Sequence, residues 1–274
     1  MSNCKSACTP LEVNQKLSKN TNLSEAEGRF PYRELMGCLM YLAVATRPDI
    51  AHAVSALGQF NECYGPEHWA AAKRILRYLK GTMTLGLMYK NDATPLFGYA
   101  DADWGNCAED RRSYSGYSFI LGGAVVSWES RKQRTVALSS TEAEYMSLAE
   151  ATKEAIYLRK YLLELGFGFS LEIKLYCDNQ GALKLAENPI FHNRTKHVDI
   201  KHHFVRDALR NKLLKLEYIS TSEMVADVLT KSLPGPSHRK CTDRLGLEEV
   251  FLSKPPSRSE GKCWNGRRSV SLRD

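Results

Sequence analysis

The sequence predicts an α/β fold in which a mixed five-stranded sheet is flanked by helices and preceded by a small all-helical unit. Apolar residues recur at helical spacing up to Gly81, and short β-prone runs replace them from about residue 84. The first strands follow one another directly, and the later strands alternate with helices. That order is typical of a mixed sheet in an α/β domain.

Three helices are predicted in the N-terminal unit, after a polar and aperiodic segment over residues 1–28. They lie within the stretches "PYRELMGCLMYLAV", "RPDIAHAVSALGQF" and "GPEHWAAAKRILRYLKG". The third begins at Pro66 and ends at Gly81, which are favoured residues for the start and the end of a helix. Its predicted apolar stripe consists of Trp69, Ala72, Leu76 and Leu79.

The strand predictions follow short apolar runs bounded by turn residues. "TLGLMYK", "PLFGYAD", "GYSFILGG" and "AVVSWES" are predicted strands, with Gly122 and Gly123 as a hairpin turn. "RKQRTVALS", "LEIKLYC" and "KLEYIS" are predicted as further strands. A long helix begins near "STEAEYM" and ends at Gly166, and shorter helices are predicted at "QGALKLAE", around His197 to Lys212, and at "SEMVADVLTKSL".

We therefore expect three parts in the chain: a helical unit over 1–90, an α/β domain over 91–247, and a disordered tail over 248–274 that is rich in Pro, Ser, Gly and Arg. No run of about 18 apolar residues predicts a membrane span. "MSNCKSACTPLEVNQ" lacks the apolar core of a secretory signal, which disfavours a secreted effector. The eight scattered cysteines favour free thiols in a reducing compartment.

The net charge of +7 is unevenly distributed, since residues 91–250 hold 21 Lys and Arg against 22 Asp and Glu. Within that range, residues 192–215 contain four of the seven histidines and seven Lys or Arg. Such a basic segment suits a polyanion held beside an acidic site. A solvated helix face is the alternative interpretation.

Four acidic residues fall where a strand ends or where a helix faces the sheet. Asp101 follows the apolar run of "PLFGYAD", and Asp178 ends "KLYCD". In the long helix, Glu144 lies on the apolar stripe, whereas Glu142 lies roughly 200° away from it. Asp227 stands among apolar residues of the last predicted helix. The candidate site therefore consists of Asp101, Glu144, Asp178 and Asp227.

Carboxylates that meet in one pocket are costly unless cations neutralise them. Oxygen ligands alone select hard ions such as Mg²⁺. Two such ions, about 4 Å apart, stabilise both the attacking and the leaving oxygen of a phosphodiester displacement. The acids therefore predict two-metal hydrolysis, in which Asp103, nearer the strand edge, has only a supporting role.

Each acid also has an ordinary structural interpretation. An aspartate at a strand end often forms a turn, and Asp227 alone can be a helix-surface residue. Glu142 or Glu144 can belong to a capping box with Ser139 or Thr141 three residues earlier. Only the combined order of strand, helix, strand and helix favours a shared site.

That order resembles the ribonuclease H fold, and the surrounding motifs are similar to those of the copia-type retrotransposon Pol polyprotein. The matching stretches include "YADADWGN", "ALSSTEAEYMSLAEA", "YCDNQGALKLAENPIFHNRTKHVDIKHHFVRD" and "MVADVLTK". "PYRELMGCLMYLAVATRPDIAHAVSAL" and "GPEHWAAAKRILRYLKGT" are similar to the C-terminal end of the family's reverse transcriptase. The resemblance covers about residues 5 to 247.

The resemblance implies a ribonuclease H that cleaves the RNA strand of RNA–DNA hybrids, with two Mg²⁺ ions for which Mn²⁺ can substitute. It implies catalytic and metal-binding roles for Asp101, Glu144, Asp178 and Asp227. It also implies substrate contacts at Gln180 in the minor groove and at Ser140 and Thr141. The phosphate contacts are predicted at Arg206 and Arg210 in the basic helix.

Departures from the family pattern limit what we expect. The chain has no Tyr-x-Asp-Asp motif, so this fragment is not expected to polymerise DNA. The loop "ISTSEMVAD" lacks the histidine that many cellular ribonucleases H carry before the last acid. His197 and His202 are five residues apart, which is off the spacing of helical metal pairs, so no zinc is expected.

The alternative function is a catalytically inactive, domesticated or degenerate fragment that acts only as a nucleic-acid-binding or interaction module. The expected partners are an RNA–DNA hybrid and the remainder of the reverse transcriptase or Pol, with no membrane. The implied location is cytoplasmic, in a virus-like particle, with the nucleus left open and secretion not expected.

Overall fold

The computed structural model describes residues 3–19, 30–91, 94–107, 109–167, 172–187 and 196–250, and for 196–200 and 202 it describes the backbone alone. Of the predicted disordered tail over 248–274, residues 248 and 249 belong to a strand (Leu247–Glu249), and residues from 251 onward lie outside the described residues. Residues 188–195, which include the start of the basic segment, also lie outside them. None of the helices within this described part has the length and apolar character that crossing a membrane requires.

The helical unit contains the three predicted helices, α1 (Tyr32–Ala45), α2 (Ala51–Gly58, preceded by a 3₁₀ turn over Pro48–Ile50) and α3 (Pro66–Gly81). The buried face of α3 differs from the predicted stripe, because it consists of His68, Ala71, Ala72, Ile75 and Tyr78. His68 Nδ1 accepts a hydrogen bond from Gly65 N at 2.9 Å, which draws the first turn inward. Trp69, Leu76 and Leu79 are partly buried against the same core.

Seven strands and five helices follow the helical unit in the described part of the chain. They are β1 (Leu85–Leu87), β2 (Phe97–Asp103), β3 (Tyr114–Leu121), β4 (Ala124–Lys132), α4 (Ser140–Glu164), β5 (Ile173–Cys177), α5 (Gln180–Glu187), α6 (Lys196–Arg210), β6 (Leu214–Tyr218), α7 (Asp227–Thr230), α8 (Gly235–Arg244) and β7 (Leu247–Glu249).

The main sheet has five strands in the order β4-β3-β2-β5-β6. The pairs β2–β3 and β3–β4 are antiparallel, and the pairs β2–β5 and β5–β6 are parallel. This mixed five-stranded sheet with flanking helices, preceded by a helical unit, confirms the predicted ribonuclease H-like fold class.

The predicted strand in "TLGLMYK" is present as β1, and it pairs with β7 in a two-stranded sheet separate from the main one. Two other local predictions were wrong. The "RKQRTVALS" stretch leaves the sheet after Lys132, because Gln133 turns inward and donates from Nε2 to Ser115 Oγ and Ala143 O. The helix predicted at "SEMVADVLTKSL" is reduced to a 3₁₀ turn and the four residues of α7, and α8 was not predicted.

Two hydrophobic cores cover the two faces of the main sheet. One contains side chains of α4, α5 and α6, with Leu148 and Leu175 at its centre. The other joins the helical unit to the opposite face of the sheet and to α7 and α8, through residues such as Leu57, Val125 and Leu229. The helical unit is therefore packed directly against the sheet that carries the acidic residues.

Candidate active site

The structure brings together the four acids that the sequence singles out. Asp101 lies in β2, Glu144 in the first turns of α4, Asp178 directly after β5, and Asp227 at the start of α7. Parallel pairing of Tyr99 with Tyr176 places the positions two residues further along, Asp101 and Asp178, beside each other at one sheet edge.

A glycine lets the last acid approach the sheet. Gly116 on β3 is paired with Asp101 on β2. A Cβ atom at position 116 would lie 2.7 Å from Leu229 Cβ and 2.8 Å from Thr230 Cγ2. Helix α7 therefore lies directly on β3, and its first residue, Asp227, reaches the acidic edge. The need for a glycine at position 116 was not predicted from the sequence.

Glu144 is held over the sheet by its own helix and by a strand amide. Its side chain is buried, and Ala102 N donates to Glu144 Oε2 at 3.1 Å. Glu142 instead caps the helix, because its backbone N–H donates to Ser139 Oγ at 3.2 Å and its Oε2 accepts from Leu138 N at 2.8 Å. The capping interpretation thus applies to Glu142, and Glu144 remains available to the site.

Two further residues of the site, Lys231 and Thr230, were not predicted from the sequence. Lys231 Nζ lies 2.9 Å from Asp227 Oδ1 and 4.0 Å from Asp101 Oδ2. Thr230 Oγ1 donates a hydrogen bond to Asp101 Oδ2. The four-residue step from Asp227 to Lys231 is the spacing of a helical ion pair, which is a signal that could have pointed to the lysine.

The pKa values of the acids are raised by burial and by one another. Burial, followed by the charges of Asp101 and Asp178, raises the pKa of Glu144 to about 10. Burial and Asp101 raise the pKa of Asp227 to about 7. Burial also raises the pKa of Asp101, although Lys231 and Thr230 oppose the change. One lysine therefore does not neutralise this pocket.

The pKa of Lys231 is raised as well, and for a lysine this favours the charged form. Burial acts to lower its pKa, but the carboxylates of Asp101 and Asp227 outweigh burial and raise it. The ammonium therefore stays charged at neutral pH and forms a fixed part of the charge balance.

The donor set of the pocket fits hard divalent cations. Ligand atoms of Glu144, Cys177 and Asp178 lie within 4.8 Å of one another, and the two carboxylates are oxygen donors of the kind that Mg²⁺ prefers. Burial, and then the charge of Glu144, raises the pKa of the Cys177 thiol. The thiol therefore stays protonated, and the carboxylates are the ligands that fit.

Three of the predicted substrate-contacting residues lie at the edge beside Glu144. Ser140 and Thr141 form the first turn of α4, and exposed Gln180 begins α5. A Cβ atom at Gly181 would lie 2.9 Å from Thr141 Oγ1, so the starts of the two helices are in contact. This contact places the hydroxyl-bearing residues Ser140 and Thr141 in the same part of the site as the amide-bearing Gln180.

The two arginines of the basic helix differ in their surroundings. Arg206 is buried, with its Nη2 donating to Leu185 O at 2.9 Å, so its guanidinium joins α6 to α5. Arg210 is exposed, and its Nη1 lies 3.9 Å from Asp207 Oδ1. The basic helix therefore presents Arg210 to solvent and not Arg206, because the helix face that packs on α4 and α5 includes position 206.

Asp103 lies on the same strand as Asp101 but nearer to solvent. Asn106 Nδ2 donates to Asp103 Oδ2 across the turn that follows β2. Burial raises the pKa of Asp103, and Asn106 opposes the change. Asp103 therefore sits at the rim of the acidic pocket.

Comparison with known proteins places the chain among transposon polyproteins. It is 42% identical over 252 residues to the retrovirus-related Pol polyprotein from transposon TNT 1-94 of Nicotiana tabacum, which covers 90% of this chain and 19% of that protein. It is 57% identical over 129 residues to the secreted RxLR effector protein 161 of Plasmopara viticola, covering 47% of this chain and 91% of that protein. No family model matches the chain.

Among solved structures, LC11-RNase H1 in complex with an RNA/DNA hybrid is similar to this chain, with a TM-score of 0.38 and 14% identity. The similarity covers 50% of this chain and 94% of that one. The chain spans about a fifth of the length of the polyproteins that it matches, 19% for TNT 1-94 and 17% for transposons RE1 and RE2 of Arabidopsis thaliana.

Proposed function

The chain belongs to the retrovirus-related Pol polyproteins of copia-type transposons, and from this premise we propose that it hydrolyses the RNA strand of RNA–DNA hybrids during reverse transcription. The observation that carries the proposal is the meeting of Asp101, Glu144, Asp178 and Asp227 at one sheet edge. The remainder of the Pol polyprotein is the proposed partner, and the cytoplasmic location is part of the same proposal.

The four acids would hold two Mg²⁺ ions, for which Mn²⁺ can substitute, because they offer hard oxygen donors in a pocket with excess negative charge. When bound, such ions lower the pKa of an attacking water and stabilise the departing oxygen of the phosphodiester. The chain contributes the shape and charge of the pocket.

Neighbouring groups fix the acids for this role. Thr230 orients one oxygen of Asp101, and the backbone N–H of Ala102 orients Oε2 of Glu144. Lys231 supplies a positive charge beside Asp227 and Asp101. Preorganised groups of this kind need no rearrangement when charge develops in the reaction.

The hybrid is proposed to lie along the edge formed by the starts of α4 and α5. Ser140, Thr141 and Gln180 offer hydroxyl and amide groups there, and these groups suit contacts with 2′-hydroxyls and base edges in a wide, shallow minor groove. Arg210 is exposed, and this supports its assignment as a phosphate contact in the proposal.

Cleavage of a labelled hybrid by the full chain, with Mg²⁺ or Mn²⁺, tests the proposal. Asp101→Asn keeps the shape of the side chain but removes its charge, and we expect it to reduce the rate by several orders of magnitude. Asp243→Asn makes the same change at an exposed position of α8 and should leave the rate unaltered. Equal cleavage by the chain and by Asp101→Asn would contradict the assignment.

Measuring hybrid binding beside cleavage separates the enzyme from an inactive binding module. Salt-sensitive binding of the hybrid without metal-dependent cleavage would favour the binding module.

A further inference from the structure

A cavity of about 680 Å³ lies between the helical unit and the acidic edge of the sheet. One wall consists of the N-terminal segment around Lys16 and of α2 around Gln59. The other wall includes Asp103, Asn106 and Lys231. Lys231 also forms the ion pair with Asp227, so the cavity and the acidic pocket share a side chain.

The walls combine three kinds of chemistry. Lys16 and Lys231 provide positive charge, and Gln59 and Asn106 provide amides. Gln59 Oε1 accepts from Lys132 Nζ at 2.9 Å and Asn106 Nδ2 donates to Asp103 Oδ2, which leaves Gln59 Nε2 and Asn106 Oδ1 to face a ligand. Phe60 and Tyr114 provide aromatic rings. Lysines suit phosphate, amides suit the edges of bases, and aromatic rings suit the faces of bases and sugars.

The wall also contains buried polar groups that the described residues do not satisfy. His52 and Tyr114 pack edge to face with ring centroids 5.0 Å apart. They are 8% and 5% exposed, and neither His52 Nδ1 nor the Tyr114 hydroxyl has a hydrogen-bond partner in the described part of the chain. Both atoms are themselves buried, so they add polar character behind the wall and are not groups that a ligand in the cavity contacts.

The size and the mixed chemistry discriminate between ligand classes. The volume lies within the range of about 300–1,000 Å³ that is usual for small-molecule sites. An inorganic anion would leave the aromatic part of the wall without a contact. A purely apolar molecule would withdraw the charged groups of Lys16 and Asp103 from water, which is costly.

We propose that this cavity holds one nucleotide, with its phosphate near Lys16 and Lys231 and its base or sugar near Gln59, Asn106 and the aromatic rings. The inference rests on the proposed function, because the shared Lys231 places the nucleotide next to the cleavage site. The helical unit thereby becomes part of the substrate-binding surface. A nucleotide of the bound strand and a free mononucleotide offer the same chemistry.

Two variants of the helical wall test the proposal in the full chain. Lys16→Ala and Gln59→Ala both alter exposed side chains, so neither should change the melting temperature. Lys5→Ala is the matched control, since it removes the same charge from an exposed position outside the cavity. Each cavity variant should raise KM for a hybrid about tenfold and leave kcat unchanged, whereas the control should change neither.

Binding measurements identify the source of the nucleotide. Fluorescence anisotropy with a labelled hybrid, in an Asp101→Asn background, reports on a strand nucleotide, and calorimetric titration with UMP reports on a free one. Weaker binding of either probe by Lys16→Ala and Gln59→Ala, relative to Lys5→Ala, supports the proposal. Binding of both probes that matches the control overturns it.

The two proposals fail in different ways. If the full chain does not cleave the hybrid, the proposed function fails, but the anisotropy and the UMP titration still decide whether the cavity binds a nucleotide. If the chain cleaves the hybrid and the cavity variants match Lys5→Ala both in KM and in the binding of both probes, the cavity inference fails alone.

Discussion

The hydroxyl of Thr230 helps to orient the carboxylate of Asp101. Thr230 Oγ1 donates to Asp101 Oδ2, and both side chains are buried. Thr230→Val keeps the shape of the residue but removes the donor. We expect the free energy of unfolding to fall by about 1–3 kcal/mol, the usual cost of leaving a buried polar group unsatisfied. Urea denaturation of the metal-free chain measures the change.

Thr152→Val provides the control for this substitution. Thr152 is equally buried, but its hydroxyl donates at 2.7 Å to Leu148 O within α4. A helix carbonyl of this kind also accepts the main-chain hydrogen bond of its helix, so the loss should be smaller. A loss at position 152 as large as that at position 230 would show that Asp101 gains nothing specific from the hydroxyl.

The raised pKa values of the acids predict how metal binding depends on pH. The pKa of Asp227 is raised to about 7 and that of Glu144 to about 10, so the folded, metal-free chain holds these protons more tightly than the unfolded chain. These two acids therefore contribute most to stability without metal at acidic pH, and this contribution falls as the pH rises through about 7 for Asp227 and about 10 for Glu144. Mg²⁺ competes with the same protons, so its stabilising effect must grow with pH.

Melting temperatures with and without Mg²⁺, from about pH 5 to about pH 8, test this linkage. The increase caused by Mg²⁺ should be larger at the alkaline end. The Glu144→Gln variant should lose most of the difference, because one of the groups that exchange a proton for the ion is gone. An increase that does not change with pH would contradict the coupling between metal and protons.

At the scale of the elements, the position of α7 depends on a glycine of another strand. Gly116→Ala would place a methyl group 2.7 Å from Leu229 Cβ, so α7 must move away from β3. Asp227 and Thr230 move with it. We expect destabilisation of about 1–3 kcal/mol, together with a loss of hybrid cleavage.

Gly58→Ala is the matched control for Gly116→Ala. A Cβ atom at position 58 meets nothing within 4 Å, and the residue ends α2. Alanine in a helix is favoured over glycine by roughly 0.5–1 kcal/mol, so the control should be neutral or slightly stabilising. Thermal melting and the cleavage assay together distinguish lost stability from a misplaced acid, since a displaced α7 reduces activity even well below the melting temperature.

The sequence predicted those features of the elements that depend on local periodicity. The stripe of α4 distinguished Glu144 from Glu142, and the apolar runs identified the strands that carry Asp101 and Asp178. It did not predict that α7 has only four residues, because its apolar residues are buried against β3 and the helical unit and not along one face of a longer helix. Contacts between distant segments decided this feature.

The same limit applies to the site. The four acids could be found from their places at strand ends and on a helix stripe. Thr230 became recognisable only when β2 and α7 were in contact, since it lies in no periodic apolar pattern. Lys231 has a local signal in its four-residue step from Asp227, but its approach to Asp101 depends on the same contact. The burial of Arg206 likewise follows from the packing of α6 on α5, which local sequence does not specify.

At the scale of the whole molecule, the helical unit and the sheet share a core. Trp128 Nε1 on β4 donates to Ala43 O on α1 at 2.8 Å. His238 on α8 contacts the backbone carbonyl of Asp49, 3.2 Å away, and Asp49 is itself held by Arg47 and by the hydroxyl of Tyr78. The domain boundary near residue 90 stays a prediction, but these contacts predict that the two parts unfold together.

Leu57→Ala tests this cooperativity from the helical side. Leu57 is 0% exposed in the core that the helical unit shares with the sheet, and its truncation should cost about 2–5 kcal/mol. If the parts unfold as one, the most protected amides of β5 and α4 should exchange faster by the same free energy, although they lie outside the helical unit. Leu148→Ala, in the core on the opposite face of the sheet, should lower the protection of α3 equally. Hydrogen exchange read by mass spectrometry resolves these segments, and unchanged protection of β5 in Leu57→Ala would show that the sheet is stable without the helical unit.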